Sequence, residues 1–344
     1  MRAGQVARRW VATLVIVALG ACGTPPKLNT DVVGDVAGDV ATSHAAPRHE
    51  FSRLLMGVRA SITISGCDEA TARVAASRAF DRIAELEAIL SDYRPDSELA
   101  RLLALPQPGV HEISDDLARV LELAGEVSHE SHGAFDVTSA PLVKLWREAR
   151  RSGALPDALA LRAAHERVGW DRVRVERGAA RARVRVLHAG VALDFGGIGK
   201  GFAVDEASRV LDGLGVGSHL IQFGGDLFAG DRPQGAPGWR VRLDDREIVL
   251  VRRALSTSGD QEQFVEIGGV RYSHVVDPRS GRTLSVTGGR SAAVLGPRAA
   301  MTDAWATALC VLGPGELARV RLPTGYEAQA REGSVMSSQT TGFP

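Results

Sequence analysis

The densest group of residues able to do chemistry is Leu193-Asp194-Phe195-Gly196-Gly197-Ile198-Gly199-Lys200-Gly201, running on into Phe202-Ala203-Val204-Asp205. A predicted strand, Val191 to Phe195, ends in an acid and a glycine turn, and a helix predicted from Ala203 to Leu214 aims its free N–H groups back at that turn. The glycines let backbone approach a ligand closely and Lys200 adds a positive charge, which suits an anion or a phosphate. On spacing alone the same glycines suit a purely structural turn. The motif is not a Walker loop, because Asp194 stands where its first glycine belongs and Gly201 follows Lys200 where Ser or Thr is needed to reach Mg²⁺.

Two further clusters carry reactive side chains. Ser256-Thr257-Ser258-Gly259-Asp260 precedes Arg271-Tyr272-Ser273-His274-Val275-Val276-Asp277-Pro278-Arg279-Ser280-Gly281, in which His274 and Asp277 lie three apart where a strand meets a proline loop. A histidine titrating near neutral pH can take a proton from a hydroxyl, and a lone strand histidine can equally be structural. In Met301-Thr302-Asp303-Ala304-Trp305-Ala306-Thr307, Asp303 and Thr307 are four apart on a predicted helix, so carboxylate and hydroxyl share a face. Hard oxygens of this kind suit Mg²⁺ completed by substrate phosphates, while Thr bonding back into its own helix is the plain alternative. His129, His132 and Cys310 have no partners at zinc-ligand intervals, and no Gly-x-Ser-x-Gly elbow is present.

The elements around these clusters read as α+β. Val58 to Ser65 alternates like a half-buried strand, and Asp68 or Thr71 opens a helix to about Ser91 with Val74, Ile83, Leu86 and Leu90 inward. Ser114 caps a helix from Asp115 to about Ser128, and another helix follows Pro156. Strands are predicted at Val173 to Val175, Ala182 to Leu187, His219 to Phe223, Trp239 to Leu243, Ile248 to Leu255, Phe264 to Ile267, Val270 to Val276 and Ser291 to Leu295, with a hairpin at Gly268-Gly269 and a last helix from Ala299 to Leu312. Hairpins outnumber strand-helix-strand units, so the sheets are expected to be mainly antiparallel.

The chain's 344 residues, 44% of them hydrophobic and 24% charged, can bury a large core and lack the composition of a disordered chain. Lys+Arg and Asp+Glu balance at 41 each, which removes the basic footprint a nucleic-acid binder needs. Three cysteines are too few for a disulfide scaffold, and whether Cys67 and Cys310 pair is open. Arg2, Arg8 and Arg9 followed by apolar Trp10 to Leu19 form a signal peptide over residues 1–21, and the Arg8-Arg9 pair also fits twin-arginine export. Leu19-Gly20-Ala21-Cys22 resembles the bacterial lipoprotein cleavage box, so Cys22 is expected to be the lipidated N-terminus of an exported protein on the periplasmic side of a membrane. Processing leaves 38 basic against 41 acidic residues, so the lipid alone does the anchoring. Residues 22–50 mix Pro, Gly, Asp and small apolar residues without a period and read as a flexible tether to a domain spanning 51–344.

Taken in order, these clusters resemble the FAD:protein FMN transferase (ApbE-type) family. The likeness covers about Leu54 to Phe343 and runs through Met56-Gly57, Ser91-Asp92-Tyr93, Ser97-Glu98-Leu99, Gly133-Ala134-Phe135-Asp136-Val137-Thr138, the Asp194 to Asp205 motif, Gly224-Gly225-Asp226, Thr257-Ser258-Gly259, His274 to Gly281, and Asp303 with Thr307. The lipobox is also usual there. The resemblance implies a two-lobed, T-fold-like α+β architecture and Mg²⁺-dependent transfer of FMN from FAD to a Thr or Ser hydroxyl of an acceptor flavoprotein, with AMP released. By the same resemblance Met56, Tyr93, Ala134, Phe135 and Asp136 line the FAD site, and Asp194 and Lys200 contact the nucleotide near its phosphates. Mg²⁺ would sit between Asp303, Thr307 and a backbone carbonyl placed at Gly197, with His274 deprotonating the incoming hydroxyl and Asp277 orienting it. A metal-dependent FAD pyrophosphatase and a non-catalytic FAD-binding lipoprotein are the competing readings. Two positions depart from the family pattern: Gly199 stands where Ala is common, and Ala306 where some relatives carry a second acid, which argues against a two-metal hydrolytic site.

Overall fold

The computed structural model describes residues 46–259, 264–284, 289–333 and 336–344. The signal peptide, Cys22, nearly all of the tether, and Asp260 lie outside the described residues.

An eight-stranded sheet forms the centre, in the order β1 (Arg48–Leu55), β2 (Val58–Ser65), β6 (His219–Phe223), β7 (Asp226–Ala229), β10 (Arg253–Gly259), β15 (Arg290–Gly296), β16 (Glu327–Glu332) and β17 (Met336–Gln339). Every neighbouring pair in it is antiparallel. Strand alternation sends its two faces into different cores. Ile221, Phe228, Ala254 and Val294 join the main core, while their chain neighbours Leu220, Leu227, Leu255 and Leu295 face the opposite way. On that opposite face the hairpin of β8 (Trp239–Leu243) and β9 (Arg246–Leu250) closes a second core through Trp239, Val241 and Leu250.

The main core is covered by α1 (Glu69–Leu90), α3 (Asp115–Glu130), α6 (Gly199–Gly213) and α7 (Ala299–Leu312). Asp68 and Ser114 cap α1 and α3 by accepting from Thr71 N and Leu117 N. Helix α7 lies against β10 and β15 and is buried nearly all round, and of its 14 residues only Thr307 is not buried. Fully buried side chains such as Trp305 and Phe202 each contribute about 1.5–3 kcal/mol of hydrophobic stabilisation.

Beside this body, α2 (Glu98–Leu103) leads into a three-stranded sheet ordered β3 (Gly109–Ile113), β5 (Ala182–Val186), β4 (Val173–Arg177). Helices α4 (Ala140–Ser152) and α5 (Ala158–His165) bury Leu142, Trp146 and Ala164 in a third small core that also takes in Tyr272 and Val276. Those two residues belong to short two-stranded pieces, β11 (Phe264–Ile267) with β12 (Val270–Ser273), and β13 (Val276–Asp277) with β14 (Arg282–Thr283). The last short helix is α8 (Pro314–Leu317). The α+β class and the antiparallel pairing agree with the sequence pattern.

Several local expectations need correction. Strand β1 starts at Arg48, so Arg48, His49 and Glu50 belong to the sheet and not to the tether. Val74 is 56% exposed, because the inward stripe of α1 is built from alanines with Phe80 and Ile83. Val191 to Phe195 pairs with no strand and is held instead by Asp194 N donating to Val137 O at 2.8 Å, Gln107 Nε2 donating to Val191 O at 3.1 Å and Arg147 donating to the Asp194 carboxylate. The run Ile248 to Leu255 breaks between β9 and β10, where Arg252 takes φ +50°. Val270 to Val276 likewise breaks after Ser273. Helix α6 begins at Gly199, so Lys200 lies in its first turn. Strands β7, β16 and β17 and helices α2 and α4 were not anticipated.

Candidate active site

The glycine motif meets α7 at two places, one of which, Gly201, has no room for a side chain. A Cβ on Gly201 would lie 2.2 Å from the Ala299 carbonyl oxygen and 2.8 Å from Asp303 Cβ, so the close approach of α6 and α7 here needs a glycine. A Cβ on Gly197 would lie 3.0 Å from Thr307 Oγ1 and 3.2 Å from the Phe135 ring. These two approaches seat the glycine turn against Asp303 and Thr307, one helical turn apart on α7. A second lock comes from Asp205, whose carboxylate accepts from Ala299 N at 2.6 Å and Ala300 N at 2.9 Å and so caps α7 from α6. Burial raises the Asp205 carboxyl to about 6, although both backbone bonds pull it down.

Lys200 Nζ sits among three oxygens: Gly196 O at 3.2 Å, Asp226 Oδ2 at 3.3 Å and Asp303 Oδ2 at 3.4 Å. Asp226, at the start of β7, is 1% exposed, and its contact with Lys200 is an ion pair without hydrogen-bond alignment. Burial alone would lower the Lys200 pKa, but Asp226 and Asp303 together carry it above its ordinary value. Burial and the Asp303 charge push the Asp226 carboxyl up to about 7 against the pull of Lys200. The choice of residue is informative in a chain with 3 lysines and 38 arginines, since a compact ammonium fits three separated oxygens where a planar guanidinium does not.

Asp303 Oδ2 also accepts from Gly201 N at 3.1 Å, which leaves Oδ1 directed elsewhere. Among the described residues no three His, Cys, Asp or Glu side chains gather as a metal cluster. A divalent ion at this place would therefore draw on one carboxylate, the Thr307 hydroxyl, backbone carbonyl and its own waters or substrate oxygens. That all-oxygen, water-rich donor set is the kind Mg²⁺ takes, and the one partly exposed residue of α7 is the hydroxyl that such an ion would need.

The expected FAD-lining residues fall into three groups around this centre. Ala134 and Phe135 are buried, with the Phe135 ring against Gly197 as described. Asp136 is buried too, which raises its carboxyl, and it accepts from Thr138 N at 2.8 Å and Thr138 Oγ1 at 2.7 Å, so its visible task is to hold the turn that places Phe135. Met56 occupies the β1–β2 turn with φ +45° and packs on the main core. Two residues on, Val58 lies 3.9 Å from the Cβ position of Gly224, which is itself 3.4 Å from Lys200 Cε. Tyr93 is 76% exposed, and the Arg147 guanidinium lies 4.8 Å from its ring centroid. Asp194 Oδ1 accepts from Gly196 N at 2.7 Å and Oδ2 from Arg147 at 2.7 Å, while burial raises its carboxyl against both.

His274 is half-buried between β12 and β13, its backbone bracketed by Ser273 N to Leu284 O at 3.0 Å and Leu284 N to Val275 O at 3.1 Å. Asp277, the carboxylate expected to orient His274, accepts from Arg279 N, Nε and Nη2 at 2.9, 3.0 and 3.1 Å. The Pro278 to Gly281 turn is seated from the α4–α5 side, Trp146 Nε1 donating to Gly281 O at 3.0 Å and His165 Nε2 lying 3.1 Å from Pro278 O. A Cβ on Gly133 would lie 3.7 Å from Arg279 Cγ, so the stretch Gly133–Val137 touches the His274 segment at one end and the glycine turn at the other. Cys67 and Cys310 are not joined in a disulfide.

Sequence reasoning missed the structural parts of Arg147, Asp226 and Ser256. Arg147 rides on α4, whose Pro141 near the start and left-handed Gly153 at the end were available signals. Ser256 is buried and shares a 2.8 Å hydrogen bond with Thr302, which ties β10 to α7 just ahead of Asp303. A lone Ser on a strand gives no such signal.

A glycine turn at a helix terminus, a carboxylate-locked lysine and an oxygen-donor pair on a buried helix meet in one place. Residues 56–328 match the model of the ApbE family, and the chain belongs to that family. It is 30% identical over 302 residues to the FAD:protein FMN transferase of Klebsiella pneumoniae (strain 342), covering 82% of this chain and 84% of that one. It is 33% identical over 287 residues to the enzyme of the same name from Treponema pallidum (strain Nichols), covering 77% and 79%. The apo crystal structure of Pseudomonas stutzeri flavinyl transferase ApbE superposes with a TM-score of 0.75 at 28% identity, over 87% of this chain and 96% of that one.

Proposed function

We propose that this chain is an FAD:protein FMN transferase that moves FMN from FAD to a Thr or Ser hydroxyl of an acceptor flavoprotein. The acceptor oxygen forms a bond to the phosphorus nearest riboflavin, the bond from that phosphorus to the AMP oxygen breaks, and AMP leaves. The observation that carries the reading is the meeting of Asp303 and Thr307 with the glycine turn at Gly197, while Lys200 holds its charge beside them. Asp303, Thr307 and the Gly197 carbonyl would hold Mg²⁺, which when bound neutralises charge on the pyrophosphate. Lys200 adds a fixed positive charge at the same place, already ordered before substrate arrives. Phe135 and Ala134 exclude water from the turn, and Met56, Tyr93 and Asp194 line the approach for FAD. His274, half-buried between β12 and β13, is where an incoming protein hydroxyl would lose its proton.

Incubation with FAD, Mg²⁺ and a candidate flavoprotein, read by intact-protein mass spectrometry, tests this. Covalent FMN on an acceptor Thr or Ser is the expected outcome, and release of free FMN and AMP with no flavin on the protein would replace transfer by hydrolysis. The same reading makes the chain an exported lipoprotein anchored at Cys22, supported by Arg2, Arg8, Arg9 and the Leu19-Gly20-Ala21-Cys22 box. Cys22→Ser should abolish lipid labelling, and lipid that persists would end that part of it.

A further inference from the structure

We propose that Arg147 is a positioning residue for FAD, a fork from α4 that holds Asp194 and Tyr93 as two walls of one entrance. It rests on the reading of Asp194 and Tyr93 as FAD-site residues. The guanidinium donates Nη2 to Asp194 Oδ2 at 2.7 Å, donates Nη1 to Asp92 Oδ2, and stacks on the Tyr93 ring with 4.8 Å to its centroid. Asp92 and Tyr93 lie on the turn between α1 and α2, which Ser91 Oγ also holds by accepting from Tyr93 N at 3.2 Å. Asp194 lies about a hundred residues further along, on a segment that pairs with no strand. One side chain therefore joins two stretches that the sheet leaves separate.

The chemistry requires an arginine. Asp194 is nearly buried, its other oxygen is taken by Gly196 N, and a carboxylate in that setting needs a cation that stays charged. Bridging two carboxylates while packing over an aromatic ring suits a guanidinium with several N–H groups, and a lysine ammonium can do one of these things at a time. Arg147 is itself only partly exposed, so its reach is spent on these three partners. Its effect on FAD is through the placement of Asp194 and Tyr93, ahead of the glycine turn and away from Asp303.

The test compares Arg147→Met, Arg147→Lys and Asp92→Asn with the parent protein, by flavin fluorescence titration for FAD affinity and by steady-state transfer. Loss of a charged hydrogen-bonded partner should raise the FAD Kd and KM by about ten- to a hundred-fold in Arg147→Met while kcat at saturating FAD stays within about threefold of the parent. Arg147→Lys should recover part of that loss, and Asp92→Asn should cost less than Arg147→Met because the Asp194 contact remains. Parental Kd in Arg147→Met, or a kcat that collapses with KM unchanged, overturns the proposal. If Arg147→Met does not fold, the ranking of Asp92→Asn and Arg147→Lys decides alone, and equal parental affinity in both overturns it. A parent that fails to bind FAD sinks the functional reading, whereas a parent that binds FAD with all variants unchanged sinks only the role of Arg147.

Discussion

The metal and phosphate half of the candidate site and its histidine half are built on opposite plans. Asp303 and Thr307 sit on a helix packed between the eight-stranded sheet and α6, cross-braced by the Ser256–Thr302 bond, Asp205 and the close approach at Gly201. His274 lies between β12 and β13 and Asp277 on β13, short pieces that belong to no larger sheet and are steadied by α4 and α5 together with the packing of Val275 and Leu284 in the main core. Charge neutralisation at a pyrophosphate gains from groups that need not reorganise, so it belongs in the braced half. A proton acceptor for a hydroxyl carried by another protein must instead be reachable by a macromolecule. The molecule meets these demands with different supports, although Val275 and Leu284 beside His274 belong to the main core, and Arg147 and Gly133–Val137 also join the two halves.

That contrast is broken most forcefully at Asp303. Asp303→Asn keeps the helix and the hydrogen bond from Gly201 N within reach while removing the charge, so transfer should fall by about four orders of magnitude, several kcal/mol of lost charge neutralisation. Isothermal titration should show Mg²⁺ affinity lost with it, and metal affinity at the parental value would move the ion elsewhere. His274→Ala should lower transfer by about 10²–10⁴-fold and leave FAD and Mg²⁺ affinity alone. Equal losses of FAD affinity in both variants would mean that the halves are one unit.

The braced half was the more legible in the sequence. Glycines, Lys200, Asp303 and Thr307 announce themselves by type and spacing, and α7 runs from Ala299 to Leu312 as its apolar pattern predicts. What spacing could not show is that Lys200 would be held by Asp226, a residue on a four-residue strand too short to read as one. Helix α6 starts earlier than its apolar period because Gly199 and Gly201 carry no periodic signal, yet Gly201 is where α6 and α7 touch. In the histidine half the two-residue strands β13 and β14 have no period at all. Their placement comes from tertiary contacts with Trp146 and His165, far away in the chain. Likewise Asp277 was paired with His274 by proximity in sequence, and the nearby Arg279 ion-pairs with its carboxylate.

A pH dependence of stability should belong to the braced half. Asp205 is a carboxyl whose folded pKa, about 6, lies above its ordinary 3.8 because burial outweighs its two backbone bonds. The folded protein thus holds that proton more tightly than the unfolded chain, so this group costs nothing at low pH. Its cost grows as pH rises from about 4 and is complete above about 6, at most about 3 kcal/mol. Asp205→Asn cannot ionise, so the parent-minus-variant difference in unfolding free energy should slope downward across that window and flatten above it. A flat difference from pH 4 to 7 would show that Asp205 ionises in the folded state as easily as in water.

The smallest expected effect tests the histidine half directly. Trp146 donates Nε1 to Gly281 O at 3.0 Å and stacks on Tyr272 with 5.5 Å between ring centroids, so it seats both ends of the segment that carries His274. Trp146→Phe keeps an aromatic ring in that core but leaves the Gly281 carbonyl without its donor, at a cost of about 1 kcal/mol. Because α4 and α5 form a core apart from the one under α7, that cost should stay local. The FAD Kd and Mg²⁺ affinity should match the parent, while kcat/KM for the acceptor protein falls a few-fold as the Pro278 to Gly281 turn loosens. A matching loss of FAD affinity would mean that strain at Gly281 reaches the glycine turn through Arg279 and Gly133. The contact that joins the two halves would then transmit disturbance between them, and their separate plans would not make them separate in function.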